Sequence, residues 1–144
     1  MLRIKKLSVR YGGIVALRDV SIEVGEGESV LLVGANGAGK SSLINAVMGL
    51  VPVDSGDITF KGADVSKLSC ATRARLGIGY SPEGRRVFRS LTVTENVIAG
   101  GTYLQRQDAD RNLEWMRTAF PLLSERADQP AGQRNSVRKN HAQT

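Results

Sequence analysis

The chain carries one cysteine, one histidine and few aromatic residues, and it has no long apolar run. Each scarcity narrows the field. With Cys70 alone there is no disulfide framework, and a reducing cytoplasm is the simplest setting. The longest apolar stretches, such as Val30–Val33, fall far short of the ~20 residues that span a bilayer, so any membrane role is expected to run through a partner. The opening Met1-Leu2-Arg3-Ile4-Lys5-Lys6 has charge but no apolar core after it, and no secretory signal is expected.

What is present is globular in composition: 41% hydrophobic and 24% charged, which excludes a disordered or fibrous chain as a whole. A length of 144 residues fits one ordinary domain or a piece of a larger one. Twenty bases against 14 acids give a net charge of +6, a balance suited to nucleic acid, an anionic membrane surface or phosphate ligands. The excess is uneven. Residues 1–133 hold 17 bases and 14 acids, while Arg134, Arg138 and Lys139 stand in the last 11 residues without an acid. The remaining spread charge reads as a solvated surface, so no nucleic-acid partner is expected.

Leu2 to Val9 mixes apolar and basic residues as an exposed strand does, Leu2 and Ile4 alternating with Arg3 and Lys5. From Leu17 onward, Val20, Ile22 and Val24 oppose Ser21 and Glu23, the pattern of an antiparallel strand with one wet face. Gly25–Glu28 is a turn, and Ser29–Val33 runs apolar like a strand buried on both faces. A glycine loop follows, then Leu43, Ile44, Val47, Met48 and Leu50 at helical spacing, closed by Val51–Gly56. Asp57–Lys61 reads as a return strand, Ala71–Leu76 as a helical turn and Gly77–Tyr80 as a strand. Thr92 is a candidate N-cap with Glu95 at the capping-box position. Asp108–Phe120 is amphipathic, with Leu113, Met116 and Phe120 on one stripe and Pro121 closing it. From Gln133 the pattern stops, and the apolar content is too low for the tail to order itself.

The glycines identify the chemistry. Gly34-x4-Gly39-Lys40-Ser41 fits Gly-x4-Gly-Lys-Ser/Thr, and it lies between an apolar strand and an amphipathic helix. Glycines let successive backbone N–H groups turn inward around phosphate oxygens, where a Cβ would obstruct. The helix start adds the positive end of its dipole. Lys40 supplies a point charge to the β- and γ-phosphates, and the Ser41 hydroxyl is a ligand for Mg²⁺. Nucleotide binding is the expectation.

Written out, the loop is Gly-Ala-Asn-Gly-Ala-Gly-Lys-Ser-Ser, and over about residues 1–133 the chain resembles the ATP-binding subunits of ABC transporters. The resemblance implies an α/β fold: a P-loop NTPase core with an N-terminal antiparallel β subdomain and the start of a helical subdomain, incomplete here. It rests also on Tyr11-Gly-Gly-Ile-Val-Ala-Leu-Arg-Asp-Val-Ser-Ile, the family's opening hairpin, on Ser55-Gly56-Asp57-Ile58, and on Leu91-Thr92-Val93-Thr94-Glu95-Asn96-Val97. It implies a cofactor-binding set of Tyr11 stacking on adenine, Val15 and Ala16 beside it, and Gly34, Asn36, Gly37, Ala38, Gly39, Lys40, Ser41 and Ser42 around the phosphates of ATP–Mg²⁺. An ordinary hairpin aromatic is the other reading of Tyr11.

Where the family's Q-loop carries glutamine, this chain reads Ser81-Pro82-Glu83-Gly84-Arg85-Arg86-Val87-Phe88. With Gly100-Gly101 downstream, that segment looks like one of the two ATP-binding subunits of Liv-type branched-chain amino acid importers. The likeness makes Glu83 a candidate Mg²⁺ contact; a surface loop residue is the alternative. It places Arg85, Arg86 and Arg89 near the groove that receives the membrane-spanning permease subunits, with a plain solvated surface as the rival. It further implies a second ATP-binding subunit and a peripheral location at the cytoplasmic face of the membrane. A nucleic-acid patch is poorly supported, since only Phe88 interleaves these arginines.

Hydrolysis in this family also needs an apolar strand ending in Asp, an adjacent Glu, a Leu-Ser-Gly-Gly-Gln signature and a switch histidine. None is found in these residues: Leu50–Asp54 contains Pro52, and His141 lies in the unpatterned tail. The expectation is therefore weak nucleotide binding without turnover. A transporter subunit for another solute, a non-catalytic nucleotide-binding fragment and a basic nucleic-acid-binding protein are the alternatives. Likeness to the family's "AGxLSGG" stops at Gln133, so a frameshift or a truncated gene model is expected to supply residues 134–144, and a core without its further strands is expected to be poorly soluble or to unfold weakly and non-cooperatively. Sequencing the gene beyond the Gln133 codon checks this. Another frame should encode Leu-Ser-Gly-Gly and an apolar-Asp-Glu strand, and finding neither defeats the idea.

Overall fold

An apolar spacing of three, set into otherwise alternating segments, shapes the N-terminal sheet: Ile4 to Leu7 in one strand and Leu17 to Val20 in the next. The chain is described by a computed structural model over residues 1–84, 86–101 and 106–133. It divides into two units, Met1–Tyr80 and a second beginning at Ser81. In the first, β1 (Leu2–Tyr11) and β2 (Ile14–Val24) pair antiparallel across the Gly12-Gly13 turn. The other side of β1 pairs antiparallel with β3 (Ser55–Phe60), which pairs with β4 (Ala63–Asp64), giving the order β2-β1-β3-β4.

β1 is thus central, with Ile4, Leu7 and Val9 buried, and not the exposed strand that its mixed composition suggested. The reason is a bulge. Register shifts separate Ile4 from Leu7, and Lys6 adopts a left-handed backbone at φ 45°. Asp19 does the same in β2 at φ 50°. Each offset moves the buried side chains from one parity to the other, as an extra residue must. The Lys6 N–H donates to Ser21 Oγ at 2.9 Å, and the Asp19 N–H donates to Ser8 Oγ at 3.1 Å. Gly56 of β3, at φ 91°, lies against the Lys5–Lys6 bulge, where an added Cβ would collide with both carbonyl oxygens.

Helix α1 (Lys40–Met48) packs Leu43, Ala46 and Met48 into the protein, with Leu43 and Ala46 in the core that also holds Ile4, Leu7 and Ile58. Burial of each large aliphatic side chain is worth about 1.5–3 kcal/mol. Gly49, left-handed at φ 72°, ends the helix, so the stop comes before the Val51–Gly56 segment expected to supply it. Helix α2 (Cys70–Arg75) starts at Ser69, whose hydroxyl accepts the Thr72 N–H at 3.2 Å. From α2, Arg73 is only 2% exposed. Its guanidinium donates to the carbonyls of Ala46 at 2.6 Å, Val47 at 2.7 Å, Ser66 at 2.8 Å and Leu68 at 3.0 Å. Burial lowers its pKa, with the Cys70 and Asp64 charges acting the other way. No ion pair forms with Arg73 among the described residues.

Two expected strands are not formed. Residues 29–33 and 77–80 hold no sheet partner among the described residues. Without a strand neighbour among the described residues, Leu31 stands 84% and Val33 76% exposed, not buried as their apolar run suggested.

In the second unit, α3 (Val93–Gly100) begins with the capping box read from the sequence: the Glu95 N–H donates to Thr92 Oγ1, and the Thr92 N–H donates to the Glu95 carboxylate. The Thr92 N–H and the Thr92 hydroxyl, both donating to the carboxylate, lower the Glu95 pKa. The Asn96 amide accepts the Phe88 N–H at 2.8 Å and donates to the carbonyls of Phe88 and Thr92, tying the preceding segment to the helix. Residues 127–132 return antiparallel to 89–94, through Val93 N–H to Gln129 and Ala131 N–H to Leu91. Helix α4 (Arg106–Ala119) and α5 (Pro121–Glu125) follow. Leu113 and Met116 face Val93, Val97 and Leu123, whereas Phe120 leaves the stripe, is exposed, and meets Trp115 edge-to-face at 6.4 Å. Pro121 opens α5, and the α4 helix has already ended. A proline suits the first turn of a helix because its missing N–H is not needed there.

Replacing Gly56 by alanine forces a left-handed alanine into the bulge. Amide hydrogen exchange over β1 and β3 should then reveal opening easier by about 1–3 kcal/mol. Unchanged protection would mean that the Lys5–Lys6 bulge does not depend on this contact.

Candidate phosphate-binding site

The loop begins where the unpaired segment 29–33 ends and closes into α1 at Lys40. A turn forms between Ala35 and Ala38, the Ala38 N–H donating to the Ala35 carbonyl at 3.2 Å. Gly37 (φ 84°) and Gly39 (φ 90°) are both left-handed, a backbone that other residues rarely adopt. The space where a Gly37 Cβ would stand is open. At Gly39 it is closed: a Cβ there would lie 2.7 Å from the Ala16 carbonyl oxygen and 2.7 Å from Leu17 Cδ2. The loop therefore seats its last glycine directly on β2, and only a glycine fits.

That contact brings three of the expected elements together. Ala16, half-buried, touches the base of the loop, and Tyr11 and Val15 are exposed on the same hairpin, paired to Ile14 and Arg10. Asn36, Ala38 and Ser41 are exposed, while Lys40 and Ser42 are half-buried at the start of α1. The Lys40 ammonium folds back over the loop, donating to the Gly34 carbonyl at 2.6 Å and to the Ala35 carbonyl at 2.8 Å. These two bonds hold the cation at the loop, where an anion arriving there would meet it.

The helix end is prepared for an anion as well. No side chain caps α1, since Gly39 is its N-cap, and no acidic residue stands in its first turn. Its first N–H groups and the positive end of its dipole are left to an incoming negative charge. Glycines that turn the backbone inward, an uncapped helix start and a tethered ammonium are the components of a phosphate cradle. The residues fit ATP with Mg²⁺. Among the described residues no group of three or more His, Cys, Asp or Glu could hold a metal, so the protein would supply at most a few ligands, the Ser41 hydroxyl among them. Mg²⁺ is suited to such sparse protein ligation because it retains much of its water.

Glu83, Arg86 and Arg89 belong to the second unit and are exposed. Glu83 sits in a bend with Gly84, whose carbonyl accepts the Arg86 N–H at 2.9 Å. The Arg89 carbonyl accepts the Gly132 N–H at 3.1 Å. Arg85, His141 and the rest of the basic tail lie outside the described residues. No helix among the described residues is long and apolar enough to cross a membrane. Sequence reading does not single out Arg73: an arginine in a short helical turn carries no sign that it will be buried. Gly49 just beyond the helix was a legible stop signal.

A family model described as ABC transporter matches residues 17–138. The high-affinity branched-chain amino acid transport ATP-binding protein BraG of Pseudomonas aeruginosa is 45% identical over 132 residues, covering 92% of this chain and 57% of that protein. The lipopolysaccharide export system ATP-binding protein LptB of Escherichia coli is 44% identical over 95 residues, covering 66% of this chain and 39% of that protein. The chain thus spans roughly half the length of these curated relatives. Among solved structures, a nucleotide-free ATP-binding cassette from an ABC transporter superposes with a TM-score of 0.76 at 26% identity, over 93% of this chain and 58% of that one.

If the cradle depends on Gly39 seating against Ala16, Gly39→Ala should displace the loop and weaken retention of Mg-ATP about ten-fold or more in equilibrium dialysis. Retention equal to wild type would show that the close approach does not shape the site.

Proposed function

The chain belongs to the ABC transporter family, and from that premise we propose that it forms the nucleotide-binding face of an ATP-binding subunit energising branched-chain amino acid import. The observation that carries the reading is the Gly34–Ser42 loop, closed on Lys40 and seated through Gly39 on the hairpin that bears Tyr11, Val15 and Ala16. In this reading Tyr11 stacks on adenine, because an aromatic face supports a base without hydrogen-bond readout. Val15 and Ala16 line the same pocket. The amides from Gly37 to Ser42 receive the phosphates, and Lys40 exchanges its two loop carbonyls for phosphate oxygens. Ser41 holds Mg²⁺, which neutralises charge on the phosphates when bound.

The solute assignment is supported by the likeness to BraG, which extends over 132 residues where that to LptB extends over 95. LptB, of a lipopolysaccharide export system, keeps a different solute as the second reading. Glu83 approaching Mg²⁺, and docking of a permease near Arg85, Arg86 and Arg89, belong to the same proposal, as do a second ATP-binding subunit and a place at the inner membrane face. Turnover is not assigned to these residues by themselves. They contain no apolar strand ending in Asp-Glu and no Leu-Ser-Gly-Gly signature, so groups that orient water and cover the γ-phosphate are not supplied from within 1–144.

Equilibrium dialysis against Mg-ATP tests the reading. Wild type should retain nucleotide, and Lys40→Ala should lose it at least ten-fold, since a charge-assisted phosphate contact is removed. Retention unaffected by Lys40→Ala means that the pocket is elsewhere. Retention that falls steeply with salt and ignores Lys40 would point to polyanion binding.

A further inference from the structure

Helix α1 presents one end to the loop and the other to a buried cation. At its C-terminal end the last carbonyls carry the negative end of the dipole, and the Ala46 carbonyl accepts the Gly49 N–H at 3.0 Å. Arg73 reaches two of them, Ala46 and Val47, from a single nitrogen, and spends its other donors on Ser66 and Leu68. A guanidinium buried without a carboxylate is costly unless its donors are met, and here carbonyls meet four of its five N–H groups. The approach is also sterically reserved: a Cβ on Gly49 would lie 3.0 Å from Arg73 Nε and 3.1 Å from Cζ. Helix stop and guanidinium therefore occupy one fitted joint.

We propose that Arg73 is a positioning residue for nucleotide binding, clamping the far end of α1 so that Lys40 and Ser41 at its near end are held in place before the phosphates arrive. The inference rests on the assignment of the Gly34–Ser42 loop as the ATP site. Nine residues at 1.5 Å rise make α1 about 13 Å long, so a tilt of about 5° at the clamp displaces Lys40 by about 1 Å. Misplacement on that order is enough to cost a bound, oriented ligand heavily. Lysine cannot replace the arginine fully, because one ammonium cannot address carbonyls that a planar fork reaches in several directions. Arg73 touches no residue of the loop in any of its four hydrogen bonds, so it acts only through the helix.

The test compares the full chain as wild type, Arg73→Met, Arg73→Lys and Ile22→Ala, the last a packing loss in β2, opposite Ile4, at a residue that makes no hydrogen bond to Arg73 or its acceptors. Amide hydrogen exchange is read over residues 40–48, and Mg-ATP affinity by equilibrium dialysis. Arg73→Met should speed exchange in α1 at least ten-fold and weaken ATP about ten-fold, with Arg73→Lys between it and wild type. Ile22→Ala should loosen β1 and β2 while leaving ATP affinity within about two-fold. Unchanged α1 exchange in Arg73→Met overturns the proposal. So does an equal loss of affinity in Ile22→Ala, which would reduce Arg73 to general stability. If Arg73→Met does not fold, Arg73→Lys carries the same comparison. A wild type whose ATP retention is absent or indifferent to Lys40→Ala defeats the assignment of the site instead, and the exchange data still decide whether the clamp exists.

Discussion

The first unit is organised by one buried guanidinium. Arg73 joins the C-terminal end of the loop-bearing helix to the 66–68 segment and to its own helix, all through main-chain carbonyls. Because the acceptors are backbone, the joint constrains the path of the chain and not merely its side chains. Hydrogen bonds from a charged donor contribute about 1.5–3 kcal/mol each, and a buried charge stripped of them costs more than it contributed. The apolar face of α1 sets which side of the helix is buried. Gly49 sets where the helix ends, and the guanidinium lies against that end.

The opposite end of α1 is arranged for an anion by the same economy of backbone contact. Gly39 seats on the Ala16 carbonyl with no room for a side chain, and Lys40 holds two loop carbonyls until better acceptors come. Negative carbonyls at one end of the helix are met by a fixed cation, and positive amides at the other are left unmet. A dipole satisfied at only one end is an anion site with a direction. In the family to which the chain belongs, a phosphate ligand is what such a site is expected to receive.

Much of this could be read from the sequence, and the failures have physical causes. The loop, the helix after it and the Thr92–Glu95 cap are set by local chemistry: glycines where the backbone turns left-handed, a hydroxyl and a carboxylate three residues apart. They were legible because the neighbours that matter are close in sequence. Residues 29–33 were misjudged because apolarity records which environment a strand suits, while pairing depends on partners distant in the chain. β1 reads as exposed because simple alternation has no place for the three-residue spacing from Ile4 to Leu7, a bulge that Leu17 and Val20 repeat in the paired strand. Arg73 was invisible for the same reason as the strand partners: its four acceptors include Ala46 and Val47, on a different helix. Glu83 and the neighbouring arginines were legible only as a resemblance, since nothing in their local pattern fixes a ligand.

The central claim is that the Gly34–Ser42 loop is the nucleotide site. Amide hydrogen exchange of the full chain, with and without Mg-ATP, tests it most directly. The expected result is new protection concentrated at the amides from Gly37 to Ser42, where the backbone N–H groups would turn onto phosphate oxygens. Protection absent from those amides at saturating nucleotide, or appearing only around Arg86 and Arg89, would contradict the account.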